Sequence, residues 1–128
     1  MRWTRETPTR QNLARLKRTW RDCEENQIAR YFASGILAPG SALELWGING
    51  ASLLATETVG DCIFVWAYEG RDAVSMMEDL IRIARKNEMR VIRYSTDRPG
   101  FVRMFNKFRP VRIESDAAEN VYEIQVNP

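Results

Sequence analysis

The chain has 128 residues, a formal net charge of +2 and no histidine. That length suits one domain, residues 1–128, with a single real core, and the missing histidine excludes a histidine general base, a Ser-His-Asp triad and most zinc sites. No apolar run approaches membrane-spanning length and MRWTRETPTR lacks the apolar core of a signal peptide, so the expectation is a cytoplasmic protein or one carried inside a larger assembly.

Arg2-Trp3-Thr4 reads as a short first strand. Thr7-Pro8 reads as a helix start, a hydroxyl cap followed by proline at the first helical position. Leu13, Leu16, Trp20, Cys23, Ile28, Tyr31 and Phe32 then recur at spacings near three and four, the apolar stripe of an amphipathic helix, with a break near Glu24-Glu25-Asn26. Gly35 ends it, and Ile36 to Ser41 is a loop.

Leu43, Leu45 and Gly47 alternate with Glu44 and Trp46, as in a half-buried strand. Asn49-Gly50 is a hairpin signal, because both turn positions need positive φ. Ala51 to Val59 returns, and Gly60-Asp61 turns again. Cys62 to Tyr68 is a continuous apolar run and is expected to be a central strand covered on both faces.

Asp72 is placed to cap the next helix, with Val74, Met77, Leu80, Ile81 and Ala84 inward and Arg82, Arg85 and Lys86 toward its C-terminal end. Val91 to Ser95 is a strand. Strand, helix, strand in this order implies a parallel crossover, with Cys62–Tyr68 beside Val91–Ser95. Pro99 to Lys107 reads as a short helix with Phe101, Met104, Phe105 and Phe108 on its apolar side. Val111–Glu114 and Val121–Val126 read as a closing hairpin. The fold class is therefore mixed α/β (α+β): antiparallel strands, then a parallel crossover, in one sheet flanked by helices.

The charge is uneven. Arg2, Arg5, Arg10, Arg15, Lys17, Arg18 and Arg21 stand against Glu6 alone, while Glu114, Asp116, Glu119 and Glu123 make the C-terminal stretch acidic. An acidic partner or nucleic acid could be met through Arg10, Arg15, Lys17, Arg18 and Arg21; a solvated helix face explains the same residues. Cys23 and Cys62 read as core thiols rather than a disulfide.

This order of elements, and the segment FVWAYEGRDAVSMMEDLIRIARKNEMRVIRYSTDRPGFVRMFNKF, resembles the GCN5-related N-acetyltransferase (GNAT) fold over nearly the whole chain. RWTRETPTRQNL followed by ALELWGINGASLLATETVGDCIFVWA also resembles the small GNAT-like internal virion proteins of short-tailed bacteriophages in layout and spacing. The resemblance implies acetyl-CoA bound at a splay between the fourth and fifth strands. Its pyrophosphate would meet backbone N–H groups of a Q/R-x-x-G-x-G/A turn at a helix N-terminus. Carried onto this chain, the cofactor-binding positions are Trp66, Tyr68, Gly70, Arg71, Asp72 and Ala73.

The chain departs from that pattern. Its turn has one glycine, and Glu69 and Asp72 put carboxylates where phosphates would lie. The family's tyrosine, which protonates the leaving thiolate, falls on Phe105. Tyr94 and Tyr68 are the substitutes, and Glu44, Glu57 and Glu69 the base candidates; no residue is marked out as catalytic. Trp66 and Tyr68 also read as core and rim of a strand. Three functions follow: a catalytically degenerate GNAT-fold protein working through protein partners in a larger assembly, with Trp3, Trp46 and Phe101 as anchors; an acetyl-CoA-dependent N-acetyltransferase of an amine; or an acidic-partner or nucleic-acid binder.

Overall fold

A computed structural model describes residues 1–7, 9–17, 43–96, 99–115 and 120–127. The elements in chain order are β1 (Trp3–Arg5), α1 (Arg10–Lys17), β2 (Leu43–Ile48), β3 (Ser52–Val59), β4 (Cys62–Glu69), α2 (Ala73–Lys86), β5 (Val91–Thr96), α3 (Pro99–Met104), a 3-10 turn (Asn106–Phe108), β6 (Val111–Ser115) and β7 (Asn120–Gln125). The strands hydrogen-bond in the order β1-β2-β3-β4-β5-β7-β6. The expected mixed α+β class is the class found. The chain divides into two compact units, Met1–Thr58 with Trp66–Arg71, and Val59–Val65 with Asp72–Pro128.

In the first unit, β1 pairs antiparallel with β2 and β2 with β3. Along β2 burial alternates as the sequence suggested, with Leu43, Leu45 and Gly47 inside. Asn49 (φ 55) and Gly50 (φ 71) both take the positive φ that the hairpin loop needs, and Ala51 N–H closes it on the Ile48 carbonyl at 3.1 Å. Leu16 of α1 is fully buried with Leu43, Leu45, Leu53, Ala55 and Ala67, and Trp66 packs against that cluster.

Helix α1 begins two residues later than the Thr7-Pro8 signal suggests. Thr9 is its cap: its Oγ1 accepts from Asn12 N–H at 3.2 Å and its carbonyl from Leu13 N–H at 3.0 Å. A hydroxyl serves the third helical N–H only from the residue just before the helix, and Thr9 stands there. The stripe from Trp20 to Phe32, with Arg18, Arg21, Cys23, Gly35 and the Ile36–Ser41 loop, lies outside the described residues.

In the second unit, β4 runs parallel to β5 in the register Cys62↔Val91 to Val65↔Tyr94, so the crossover is present. β7 lies between β5 and β6, antiparallel to both. Helix α2 buries Met76, Met77, Leu80, Ile81 and Ala84. Met76 and Met77 fill the core, as adjacent methionines with flexible side chains can, while Val74, expected inward, is half-buried.

Two further expectations change. Phe64, Val65 and Trp66 of β4 are half-buried, so this central strand is not covered on both faces throughout. The helix expected over Pro99–Lys107 is α3 followed by the 3-10 turn, with Phe105 buried between them and Met104 41 % exposed. Met104 is the last residue of α3, before the 3-10 turn, and lies off the side on which Phe105 is buried.

Candidate functional site

The candidate turn joins the end of β4 to the start of α2. The boundary between the two units falls between Arg71 and Asp72, so each part is described in its own unit. In the first unit Trp66 is half-buried, and its indole Nε1–H donates to Glu57 Oε1 at 3.1 Å. Tyr68 donates its hydroxyl to the Arg71 carbonyl, closing the turn on itself.

Glu69 is held by Arg15 of α1, whose Nη2 lies 2.6 Å and Nε 3.2 Å from its Oε2. The same guanidinium donates to the Ala51 carbonyl. One of the turn's two carboxylates is thus paired by a cation 54 residues away in the chain. Gly70 sits at φ 158, and a Cβ there would overlap Oγ and Cβ of Ser52. Only glycine allows that close approach of strand end and hairpin. The side chain of Arg71 is exposed.

In the second unit Asp72 is the N-cap of α2. It takes the left-handed conformation (φ 57, ψ 57), and its Oδ1 accepts from Ser75 N–H at 3.2 Å. Aspartate tolerates this conformation better than most residues, and its charge suits the helix dipole. Ala73 is the first helical residue and is half-buried. The six positions carried over from the resemblance lie within one stretch of eight residues, Trp66 to Ala73, and differ in role. Trp66 packs on a core, Tyr68 and Gly70 shape the turn, Arg71 faces water, and Asp72 and Ala73 open the helix.

One donor of the turn is already taken and is not available to a pyrophosphate. A nest for phosphate needs bare backbone N–H groups at the helix N-terminus. Here Asp72's own carboxylate takes the Ser75 N–H and places negative charge at the positive end of the helix dipole.

The acid and base candidates are also engaged. Tyr94 is 5 % exposed, stacked on Tyr122 at 5.6 Å and edge-on to Phe105 at 5.3 Å. Burial, with a smaller contribution from Tyr122, pushes its phenol up to about 12, and its hydroxyl has no hydrogen-bond partner among the described residues. Phe105, in the family's tyrosine slot, is buried against Tyr94 and Phe108. Glu44 pairs with Arg5 at 3.3 Å, Glu57 holds Trp66, and Glu69 holds Arg15. Among the described residues no cluster of acidic or cysteine side chains could hold a metal ion.

Sequence reading did not find the Arg15–Glu69 pair or the contact of Ser52 on Gly70. Neither leaves a local signal, because both join residues far apart in the chain. The anchors Trp3 and Trp46 turn out to touch each other, ring centroids 6.1 Å apart, with Arg5 over Trp46 at 5.3 Å. Of the basic set, Arg10 is exposed and Arg15 is committed to Glu69.

Comparison with solved structures decides the fold. An acetyltransferase of the GNAT family from Desulfovibrio desulfuricans superposes with a TM-score of 0.67 at 10% identity, covering 98% of this chain and 99% of that one. The GNAT fold is the fold of this chain. The ribosomal-protein-S18-alanine N-acetyltransferase of Escherichia coli matches at TM-score 0.61 and 13% identity, covering 99% and 96% of the two chains. The PaiA N-acetyltransferase of Thermoplasma acidophilum, solved in complex with coenzyme A, matches at 0.56 and 8%, covering 98% and 99%. No protein-family model and no curated protein matches the sequence. At these identities the likeness carries the GNAT fold and not the activity. Among the described residues no helix is long and apolar enough to cross a membrane.

Proposed function

We propose that this chain is a GNAT-fold scaffold that does not catalyse acetyl transfer and acts through protein contacts within a larger assembly, such as a phage particle. The observation that carries the reading is the Asp72 carboxylate on Ser75 N–H, 3.2 Å away at the start of α2. A carboxylate at that position competes with an anionic ligand for the same donor and repels it. Phe105 supports the reading, because a buried phenyl ring has no proton to give a leaving thiolate.

Isothermal titration with acetyl-CoA, run beside coenzyme A, tests this. The expected result is no heat of binding at millimolar ligand. Micromolar binding of either would overturn the reading.

A second reading is an acetyl-CoA-dependent N-acetyltransferase of an amine. It is favoured by one specific feature: Arg15 neutralises Glu69, one of the turn's two carboxylates, and the side chain of Arg71 is exposed. Coenzyme A in the complex of the Thermoplasma neighbour gives it a precedent within the fold. On this reading replacing Gly70 with a bulky residue abolishes turnover, and wild-type activity in that variant would count against the site.

A further inference from the structure

In the second unit, helix α2 ends on a residue ill suited to its conformation. Glu88, just past the Asn87 cap, stands at φ 58, in the left-handed region where glycine is the usual residue after a helix. The helix closes around it all the same. Glu88 N–H donates to the Arg85 carbonyl at 3.1 Å and Met89 N–H to the Ala84 carbonyl at 2.9 Å. A side chain in that region is strained, and such strain persists only where the surroundings hold it.

Two segments hold it here. Asp61, in the β3–β4 turn, accepts from Arg90 twice: its carbonyl from the N–H at 2.8 Å and its carboxylate from Nε at 3.0 Å. From the other side come Val126 and Asn127, just after β7. Both of their N–H groups donate to the Arg90 carbonyl, at 3.0 and 3.2 Å. Asn127 Nδ2 donates to the Met89 carbonyl at 2.7 Å. Arg85 Nε, from the last turn of α2, donates to the Val126 carbonyl at 3.0 Å.

The two holds are unequal. The Asp61–Arg90 side-chain pair is exposed, so water screens it. The other hold is anchored by the Val126 side chain, which is buried, and its side-chain hydrogen bonds are partly buried. We propose that Val126–Asn127 are a strap that keeps the α2–β5 corner, Asn87–Arg90, in its strained form, and that this corner opens as one local unit when the strap lets go. Release leaves the strain at Glu88 free to relax. The elements on either side have their own core contacts, since Leu80, Ile81 and Ala84 of α2, Ile92 of β5 and Ile124 of β7 are all buried. Proteins open in such contiguous units at free energies below that of global unfolding. The inference is independent of the scaffold reading, because no ligand enters it, and acetyl-CoA titration leaves it untouched.

Native-state hydrogen exchange on the full chain, read residue by residue by NMR, tests this. The amides of Glu88, Met89, Val126 and Asn127 should share one opening and be less protected than those of Ile92 and Ile124, which pair across β5 and β7. Asn127→Ala removes the donor to the Met89 carbonyl. It should lower protection at Glu88, Met89 and Val126 by about tenfold, the effect of one lost hydrogen bond, and leave Ile92 and Ile124 unchanged. Adding Glu88→Gly should restore most of that loss, because glycine meets no strain at φ 58. Adding Glu88→Ala should not, because alanine keeps the Cβ.

A corner as well protected as Ile92, or a loss in Asn127→Ala that spreads equally to Ile92 and Ile124, overturns the local unit. No loss in Asn127→Ala overturns the strap. Failure of glycine to restore protection, or equal recovery with alanine, overturns the strain.

Discussion

Arg15 and Glu69 form an ion pair at 2.6 Å, joining α1 to the last residue of β4. The same guanidinium reaches the Ala51 carbonyl in the β2–β3 loop. One side chain thus ties three segments of the first unit and settles the charge beside the turn. Both partners are partly exposed, so water screens the pair. Arg15→Ala should cost about 1 kcal/mol, the sum of a screened ion pair and one hydrogen bond. Arg15→Lys should recover only part of it, since an ammonium cannot serve both acceptors in the planar geometry of a guanidinium. Urea denaturation of the three proteins measures this, and a midpoint unmoved by Arg15→Ala would show the pair to be energetically idle.

The cap of α2 makes a second prediction. Asp72→Ala removes the acceptor for Ser75 N–H and puts alanine at φ 57. The expected loss is about 1–2 kcal/mol. Asp72→Gly loses the same hydrogen bond and relieves the backbone, so its cost should be only a few tenths of a kcal/mol. If glycine were as damaging as alanine, the left-handed conformation would not be the source of the difference. Thermal melts of both variants suffice.

Gly70 is a steric requirement. Gly70→Ala drives its new Cβ into Ser52, with an expected cost of about 1–3 kcal/mol. Because the obstruction is the Ser52 side chain, the double variant with Ser52→Gly should be more stable than the sum of the two single changes implies. A double-mutant cycle in denaturant reads that coupling directly. Strict additivity would place the strain elsewhere.

Tyr94 carries a buried hydroxyl with no partner among the described residues. Tyr94→Phe keeps the stack on Tyr122 and the edge contact to Phe105 while deleting that hydroxyl. It should leave stability unchanged or raise it by about 1 kcal/mol. A loss greater than that would mean the hydroxyl is hydrogen-bonded in solution, most simply to a buried water.

The same residue gives the chain a pH dependence. The folded-state phenol titrates near 12 against an ordinary 10.0, so the folded protein holds the proton more tightly than the unfolded chain. Its contribution is fully present below pH 10 and is lost as pH rises from there through about 12. Comparison with Tyr94→Phe isolates it from the other groups that titrate in that range. The wild-type protein should lose more stability than the variant between these pH values. Parallel pH profiles would contradict the burial of the phenol.

Local pattern specified much of this molecule before any contact was known. Alternation in Leu43–Ile48, the Asn49-Gly50 loop, the strand–helix–strand succession around Asp72 and the closing hairpin each state a backbone preference within a few residues, and each is present. The candidate turn, with Trp66, Tyr68, Gly70, Arg71, Asp72 and Ala73, came from the resemblance to a family pattern, which one short stretch of chain can carry. A boundary moved where neighbours compete for one role, as Thr9 displaced Thr7 at the cap of α1.

Tertiary structure decided what no local pattern encodes. Which carboxylate of the turn is neutralised depends on Arg15 arriving from another helix. The need for glycine at position 70 depends on Ser52 crossing from a different strand. Whether Tyr94 has a partner depends on how Tyr122 and Phe105 close around it. The periodicity of a sequence reports which face of an element is apolar. It does not report which residue from elsewhere meets that face, because that is settled by the joint packing of all the elements at once.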